Sequence, residues 1–352
     1  MSEIINDQDR RKFLGVSGKV GLSTMVASAA GVNLGVVDLV QAQSKAVQPF
    51  RFAMISDSHL YSGPDHKFDR QLEDAIELVN DMAVQPDFVI YGGDIAQNGT
   101  DDQLAKGKKI LSKIKAKMVI IPGEHDWYVD MGKAWQGYYG GYNPASGQRP
   151  GEKDYWSFDH KGVHFIGMNS ILVKDFWTEA KLTPKQRMEY MEMLEGPWAG
   201  LWGVQAHQLE WLRKDVAKLA PDTPVVVFTH SPLWDYYPRW NFQTVDAPEI
   251  RQILSKFTNV MSFHGHVHQT LYNKIGNMSS VGAMSTSWPW PYPPVALPYP
   301  QSQMYRADPS NEVDGMGSLF AQVESSKVAT VQHLPMADSL TPFMKNGFKV
   351  GV

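Results

Sequence analysis

Five short polar segments of this chain each follow an apolar run, and each contains side chains that bind metal ions. The apolar runs are rich in β-branched residues and end at glycine or polar residues, which is typical of buried strands in an α/β sheet. The carboxyl ends of such strands form the crevice in which ligands bind. We therefore expect carboxylates and imidazoles to converge on one rim, an accumulation of charge that a metal site explains best. The segments are Asp57-Ser58-His59, Gly93-Asp94, Gly123-Glu124-His125-Asp126, Thr229-His230 and Gly265-His266-Val267-His268.

The order and spacing of these segments resemble the calcineurin-like metallophosphoesterase superfamily. That superfamily has the pattern Asp-x-His, Gly-Asp, Gly-Asn-His-Asp, His and Gly-His-x-His, and the resemblance covers roughly residues 50–285. It implies an α/β fold, a four-layer α-β-β-α sandwich of two mixed β-sheets flanked by helices. The chain departs from the pattern at one position, where Glu124 replaces the asparagine of the superfamily.

The resemblance also implies two metal ions and assigns residues to them. Two cations about 4 Å apart can clamp the attacking and departing oxygens of a displacement, and a hydroxide shared between them is a nucleophile at neutral pH. His125 is expected to stabilise or protonate the leaving oxygen, and Asp126 to orient the ring of His125. The first metal would be held by Asp57, His59, Asp94 and His268, and the second by Asp94 as a bridge with Glu124, His230 and His266.

Glu124 leaves three functional interpretations open. The superfamily's asparagine can donate to a phosphate oxygen, whereas glutamate cannot donate and adds a negative charge. A carboxylate charge about 5 Å from a phosphate oxygen costs about 3 kcal/mol at an effective dielectric constant near 20. We favour a dinuclear hydrolase of phosphoric esters, diesters or monoesters, with an altered metal or substrate preference. The alternatives are an exported metal-binding accessory protein without phosphatase activity, and a different hydrolytic chemistry.

Composition limits the cofactors and partners. The 352 residues are 43% hydrophobic, enough for one large α/β domain or two small ones. The chain has no cysteine, which excludes disulfides, thiolate zinc sites, iron–sulfur clusters and cysteine nucleophiles. Nitrogen and oxygen ligands suit Mn, Fe or Zn ions, and Fe(III) paired with a divalent ion would offset the charge of Glu124. A net charge of −4 without a basic stripe gives no indication of a nucleic-acid partner. The resemblance implies a small phosphoester substrate instead.

The first 42 residues resemble a twin-arginine (Tat) export signal. Asp9-Arg10-Arg11-Lys12-Phe13-Leu14 precedes a weakly apolar stretch over 20–37, and Val40-Gln41-Ala42 offers a small-residue cleavage site near Ala42. We expect the domain over 43–352 to be exported by the Tat translocase and to be periplasmic, with no stable membrane insertion. The alternative is an uncleaved membrane anchor, because 18 uncharged residues can just span a bilayer.

The remaining pattern predicts ordinary elements and two insertions. Apolar spacing predicts helices over 67–82 and 101–116, and a hairpin formed by 155–158 and 163–168. His160 and His164 flank the turn of this hairpin and are expected to be exposed, whereas His264 is expected to point away from the site.

Aromatic residues are frequent in the two insertions, near 127–153 and 174–203, and in the segments after the later motifs. An aromatic pocket wall would suit a nucleoside base or another flat, apolar group. Trp234, Arg239 and Trp290 are the candidate wall residues, with Arg239 as an anion anchor. Packing of the insertions against the domain is an equally good interpretation of these aromatic residues.

Overall fold

Strands and helices alternate along the part of the chain that the computed structural model describes, which is 46–144, 153–171, 182–191, 202–236, 242–289, 313–325 and 329–336. The strands are β1 (Phe50–Ile55), β2 (Phe88–Tyr91), β3 (Lys117–Ile120), β4 (Trp156–His160), β5 (Val163–Gly167), β6 (Val225–Thr229), β7 (Val260–His264), β8 (Leu271–Ile275), β9 (Met278–Gly282), β10 (Gly317–Val323) and β11 (Ala329–Pro335). The helices are α1 (Lys67–Asn80), α2 (Asp101–Leu111), α3 (Lys133–Tyr139), α4 (Pro184–Met191), α5 (Gln205–Val216) and α6 (Ala247–Leu254), with short 3₁₀ turns at Glu124–Asp126 and Gly140–Tyr142.

The strands form two mixed sheets. The first has the order β11-β10-β1-β2-β3, in which β1, β2 and β3 are parallel and β10 and β11 form an antiparallel edge. The second has the order β4-β5-β6-β7-β9-β8, in which β5, β6, β7 and β9 are parallel. Parallel strands covered on both faces need continuous apolar runs, which explains the absence of a polar face in strands such as β1 and β6.

The two sheets pack face to face between helices. Phe52 of β1 contacts Phe228 and Phe263 of the second sheet edge-on, with ring centroids 5.9 Å and 5.5 Å apart. On the outer face of the first sheet, apolar residues of α1 and α2 pack against β1 and β2. On the outer face of the second sheet, α5 and α6 pack against β6 and β7. The predicted four-layer α-β-β-α sandwich is therefore confirmed.

The predicted elements are present, with shorter helices. The first helix ends at Asn80 and the second at Leu111. The second helix ends there because the residues after Leu111 form tighter turns, in which the amide of Ile114 bonds the carbonyl of Leu111. The hairpin of β4 and β5 is antiparallel as predicted. The insertion over 127–153 contains the short helix α3, and its part over 145–152 lies outside the described residues. Of the second insertion, over 174–203, the parts over 174–181 and 192–201 lie outside them as well.

The expectation that His164 is exposed is wrong. Alternation along β5 places His164 on the outer face of the second sheet, and α5 covers that face. His164 is 6% exposed, and its two ring nitrogens lie 2.8 Å from Asp159 and 2.9 Å from Asp215 of α5. His160 is half-buried and bonds Asp87.

Within the described ranges, none of the helices combines the length and the apolar character that crossing a bilayer requires.

Candidate metal centre

The predicted metal ligands come together at the carboxyl ends of five parallel strands. Four ligands follow strands of the first sheet, and three follow β6 and β7 of the second sheet. All seven side chains are buried, the most exposed being His266 at 8%. The first sheet provides Asp57, His59, Asp94 and Glu124, and the second provides His230, His266 and His268.

Four of the side chains form one compact group. The candidate ligand atoms of this group all lie within 4.8 Å of one another. Nε2 of His230 lies 3.1 Å from Oδ2 of Asp94 and 3.0 Å from Oε2 of Glu124. Nδ1 of His266 lies 2.8 Å from Oε1 of Glu124. This group, Asp94, Glu124, His230 and His266, is the set predicted for the second metal.

A second group lies beside the first. The candidate ligand atoms of Asp57, His59 and His268 lie within the same 4.8 Å limit. Nε2 of His268 is 3.2 Å from Oδ1 of Asp57 and 3.2 Å from Nε2 of His59. Oδ2 of Asp94 lies 3.6 Å from Nε2 of His59, so this carboxylate faces both groups. Asp57 also approaches the other group, with Oδ1 3.8 Å from Nε2 of His230, but Asp94 is the closer of the two carboxylates to that ring. The position of Asp94 is the one a bridging carboxylate requires.

Hydrogen bonds behind the rings orient three of the imidazoles. Nδ1 of His230 lies 2.7 Å from the carbonyl oxygen of Gly92, and Nδ1 of His268 lies 2.8 Å from that of Trp288. Nδ1 of His59 lies 3.0 Å from Oε1 of Gln97. A ring that donates through Nδ1 keeps the lone pair on Nε2, so all three rings present a ligand atom to the cluster.

The backbone at the site is strained. Left-handed backbone conformations are uncommon outside glycine and cost about 1–3 kcal/mol each. Nine described non-glycine residues have positive φ, and five of them are predicted ligands, with φ between 46° and 62°. The five are Asp57, His59, Asp94, His266 and His268. Such concentration of strain at one place is characteristic of a functional site.

The third motif has glycine at position 123, where the chain passes close to Asp94. A Cβ atom on Gly123 would overlap the carboxylate of Asp94 and lie 2.5 Å from the Asp94 amide nitrogen. The amide of His125, two residues later, donates to Oδ1 of Asp94 at 3.0 Å. The motif therefore places a turn directly against the carboxylate that faces both groups.

The residues present fit a pair of cations. Several buried atoms of the cluster have no hydrogen-bond partner, among them Oδ2 of Asp57, Oε2 of Glu124 and Nε2 of His230; the last two are 3.0 Å apart but not aligned as a hydrogen bond. Buried polar atoms without partners are costly. Atoms that converge without bonding each other are suited to a shared metal ion.

Electrostatics support the same fit. Burial raises the pKa of Asp94, and the neighbouring Glu124 carboxylate raises it further. Burial lowers the pKa of His230, but the carboxylates of Asp94 and Glu124 outweigh burial and hold it well above its usual value. Cations bound beside these side chains would favour the deprotonated forms of both residues.

His125 lies next to the cluster, but Asp126 does not hold its ring. Nδ1 of His125 lies 2.7 Å from the carbonyl oxygen of Gln97. Asp126 instead accepts from backbone amides, at 3.0 Å from Ile95, 3.1 Å from Ala96 and 3.0 Å from Gly123. The expectation that Asp126 orients the His125 ring is therefore corrected. Asp126 holds the loop that carries Gln97, and burial raises the pKa of Asp126 to about 7.

Several residues around the site had no motif to reveal them. Hydroxyls of Ser285 and Ser287 donate to the Asp57 carbonyl at 2.8 Å and 2.7 Å. The Trp288 ring lies 4.3 Å from the His59 ring, and Phe242 lies 4.7 Å from His266. These are ordinary residue types whose roles depend on tertiary structure.

The aromatic residues considered for a pocket wall lie in different environments. Trp127, Trp135 and Tyr139 of the first insertion are buried in the core beside α2, as the packing interpretation expects. Trp234 is 40% exposed and its ring lies under the guanidinium of Arg251 at 5.0 Å. Arg239 and Trp290 lie outside the described residues.

His264 is buried, and its Nδ1 lies 3.1 Å from the carbonyl oxygen of Gly265.

Two mixed sheets between helices, with carboxylates and imidazoles on a shared rim, define a metallophosphatase-like protein. Residues 50–270 match the family described as Calcineurin-like phosphoesterase. This match spans more than half of the chain, so the chain belongs to that family and is a phosphoester hydrolase.

Two individual proteins are similar to this chain, one in sequence and one in structure. The chain is 25% identical over 234 residues to the "Probable glycerophosphodiester phosphodiesterase GpdQ" of Arcobacter nitrofigilis, a match that covers 63% of this chain and 74% of that protein. The crystal structure of a dimetal phosphatase from Danio rerio is similar with a TM-score of 0.60 and 13% identity, covering 81% of this chain and 96% of the other. At this identity the structural likeness shows the fold alone.

Proposed function

We propose that this chain is a dinuclear metal-dependent phosphodiesterase that acts on small phosphoric diesters. The observation that carries the proposal is the carboxylate of Asp94, which faces two groups of buried ligand atoms at once. The relative named as a glycerophosphodiester phosphodiesterase supports a diester substrate. Mn, Fe and Zn are the metals that suit these nitrogen and oxygen ligands, with Fe(III) and a divalent ion as one pairing.

The residues of the site would have separate roles in hydrolysis. Two bound cations would polarise the phosphoryl group and lower the pKa of water. Asp57, His59 and His268 would hold the first cation, Glu124, His230 and His266 would hold the second, and Asp94 would be a ligand shared by the two sites. The Gln97 carbonyl accepts from Nδ1 of His125, which directs Nε2 of the ring away from Gln97. That nitrogen is the atom proposed to stabilise or protonate the departing oxygen, a role in which the ring would have to be imidazolium, with a second hydrogen on Nε2.

Glu124 favours a diester over a monoester. A phosphomonoester carries up to two negative charges near neutral pH, and a diester carries one. The carboxylate of Glu124 is buried between His230 and His266, where solvent screens its charge poorly. Repulsion therefore acts more strongly on the monoester.

Metal content and hydrolysis of two chromogenic esters test the proposal together. The domain is stripped with a chelator and reloaded with Mn²⁺, Zn²⁺ or Fe²⁺, and metal is measured per chain. We expect two ions per chain, and faster hydrolysis of bis(4-nitrophenyl) phosphate than of 4-nitrophenyl phosphate. Two bound ions without hydrolysis of either ester would instead support a metal-binding accessory protein.

We also propose that residues 1–42 direct export through the Tat translocase to the periplasm, leaving 43–352 as the mature domain. The support is the sequence around Arg10 and Arg11 and the small residues before Ala42. Residues 1–45 lie outside the described part of the chain. Replacing both arginines by lysine should abolish periplasmic recovery while leaving cytoplasmic protein folded. Normal periplasmic recovery of that variant would refute the export proposal.

A further inference from the structure

Gln97 contacts two imidazoles of the site at once. Its side-chain Oε1 lies 3.0 Å from Nδ1 of His59, one of the proposed ligands of the first metal. Its backbone carbonyl lies 2.7 Å from Nδ1 of His125, the proposed acid. The rings of His59 and His125 also contact each other edge-on, with centroids 4.6 Å apart.

The backbone around Gln97 is fixed on both sides. The loop after β2 runs parallel to the loop after β1, and the two are joined by amide–carbonyl bonds from His59 to Asp94 at 3.0 Å and from Leu60 to Ile95 at 2.8 Å. The amide of Gln97 returns to the carbonyl of Leu60 at 3.0 Å. Asp126 accepts the amides of the two residues before Gln97. Gln97 is thus held firmly in place, and so are the acceptors it offers.

Each acceptor determines which ring nitrogen is available to the site. A carbonyl oxygen can only accept, so Nδ1 of each ring carries the hydrogen. The lone pair of His59 is then on Nε2, which lies 3.6 Å from Oδ2 of Asp94. Ligand histidines oriented in this way bind metal more tightly, and loss of the orienting partner costs about 10- to 100-fold in affinity.

We propose that Gln97 is a positioning residue that fixes His59 through its side chain and His125 through its backbone, joining the first metal site to the acid in one rigid unit. This inference rests on the proposed two-metal function. The two contacts of Gln97 can be tested separately. Substitution of its side chain removes only the acceptor for His59 and leaves the backbone carbonyl that holds His125.

Three variants test this separation. Gln97→Met keeps a side chain of similar length but removes the acceptor, and Gln97→Glu keeps an acceptor. Asn98→Ala is the matched control, since Asn98 lies on the same loop and bonds Met188 rather than a ligand. Each protein is stripped of metal, checked by circular dichroism and urea unfolding, and titrated with Zn²⁺ against a competing chelator.

We expect Gln97→Met to weaken one of two Zn²⁺ sites by about 10- to 100-fold. Gln97→Glu and Asn98→Ala should keep both sites within about threefold of the wild type or tighter. In a His59→Ala background, Gln97→Met should cause no further loss, whereas in a His266→Ala background the loss should persist. At saturating Zn²⁺, Gln97→Met should regain diesterase turnover with an unchanged pH profile, because His125 remains held.

Two results would overturn the inference: unchanged binding by Gln97→Met while the wild type binds two ions, or a loss that persists without His59. Failure of the proposed function looks different, since the wild type itself would then bind fewer than two ions or leave the diester intact.

Discussion

Oε1 of Glu124 lies 2.8 Å from Nδ1 of His266, so the residue that departs from the family pattern is a central member of the second ligand group. The other carboxylate oxygen of Glu124 lies 3.0 Å from Nε2 of His230. A glutamate at this position is therefore accommodated by its neighbours. Its charge lies within the group proposed to hold the second metal.

Replacing Glu124 by asparagine should shift selectivity toward monoesters. Removing the charge relieves the repulsion of about 3 kcal/mol on each additional negative charge of the substrate. The ratio of monoesterase to diesterase turnover should rise by up to about 100-fold, measured with the two 4-nitrophenyl esters. Glu124→Gln, which keeps the side-chain length and loses the charge, should shift the ratio in the same direction. A fall in the ratio for both variants would contradict the electrostatic argument.

Asparagine substitutions of two aspartates should differ in metal stoichiometry. Asp94 lies 3.1 Å from the His230 ring and faces both groups, whereas Asp57 groups with His59 and His268 and is farther from His230, at 3.8 Å. Asp94→Asn should lose tight binding at both sites, and Asp57→Asn should retain one ion per chain, measured by elemental analysis after gel filtration. Glu73→Gln, at an exposed ion pair with Lys113, serves as the control. Equal stoichiometry for the two aspartate variants would exclude Asp94 as the bridge.

Replacing His125 by alanine should affect esters according to their leaving groups. An acid matters most when the departing oxygen is strongly basic, so diesters of alkyl alcohols should slow by about 10²- to 10⁴-fold. Diesters of 4-nitrophenol should slow much less, because nitrophenolate leaves without a proton. His160→Ala, remote from the site and paired with Asp87, should behave as the wild type. A uniform loss across leaving groups would argue for a different role of His125.

The buried His164 should make stability depend on pH. Burial lowers the pKa of His164, but Asp215 and Asp159 outweigh burial and raise it above its usual value. A raised folded pKa means that the stabilisation is complete below the unfolded pKa of about 6.5 and is lost as pH rises through the folded pKa.

His164→Gln should therefore lower the free energy of unfolding by about 1–3 kcal/mol at pH 5.5, and by less at pH 9. Urea unfolding of the metal-free wild type and variant at both pH values measures this difference, and working without metal removes the pH dependence of cation binding. A difference that grows with pH would show that His164 is buried as the neutral form.

The convergence of seven ligands could be predicted because each lies at the end of an apolar run. The parallel strands that such runs form direct their carboxyl ends to one rim. The alternating pattern on either side of a turn likewise placed the hairpin of β4 and β5 correctly. Local patterns were sufficient for these elements.

Contacts between residues far apart in the sequence could not be predicted from local patterns. The hydroxyl of Ser285 reaches Asp57 across 228 positions, and nothing near either residue indicates that contact. His164 follows the alternation of β5, but the helix that covers it comes some fifty positions later. Gln97 lies in the loop after β2 and Asp126 in the 3₁₀ turn after β3. Nothing near either residue in the sequence indicates that Nδ1 of His125 bonds the carbonyl of Gln97 rather than Asp126.

The division of the ligands between the two sheets has a consequence for unfolding. Cations bound by Asp94 and His230 together would be cross-links between the two halves of the sandwich, in addition to their apolar contacts and to hydrogen bonds such as that between His230 and Gly92. An ion that binds only the folded chain adds about 2.7 kcal/mol of stability at a concentration one hundred times its dissociation constant. The melting temperature should accordingly climb with metal concentration and fall when a chelator removes the ions.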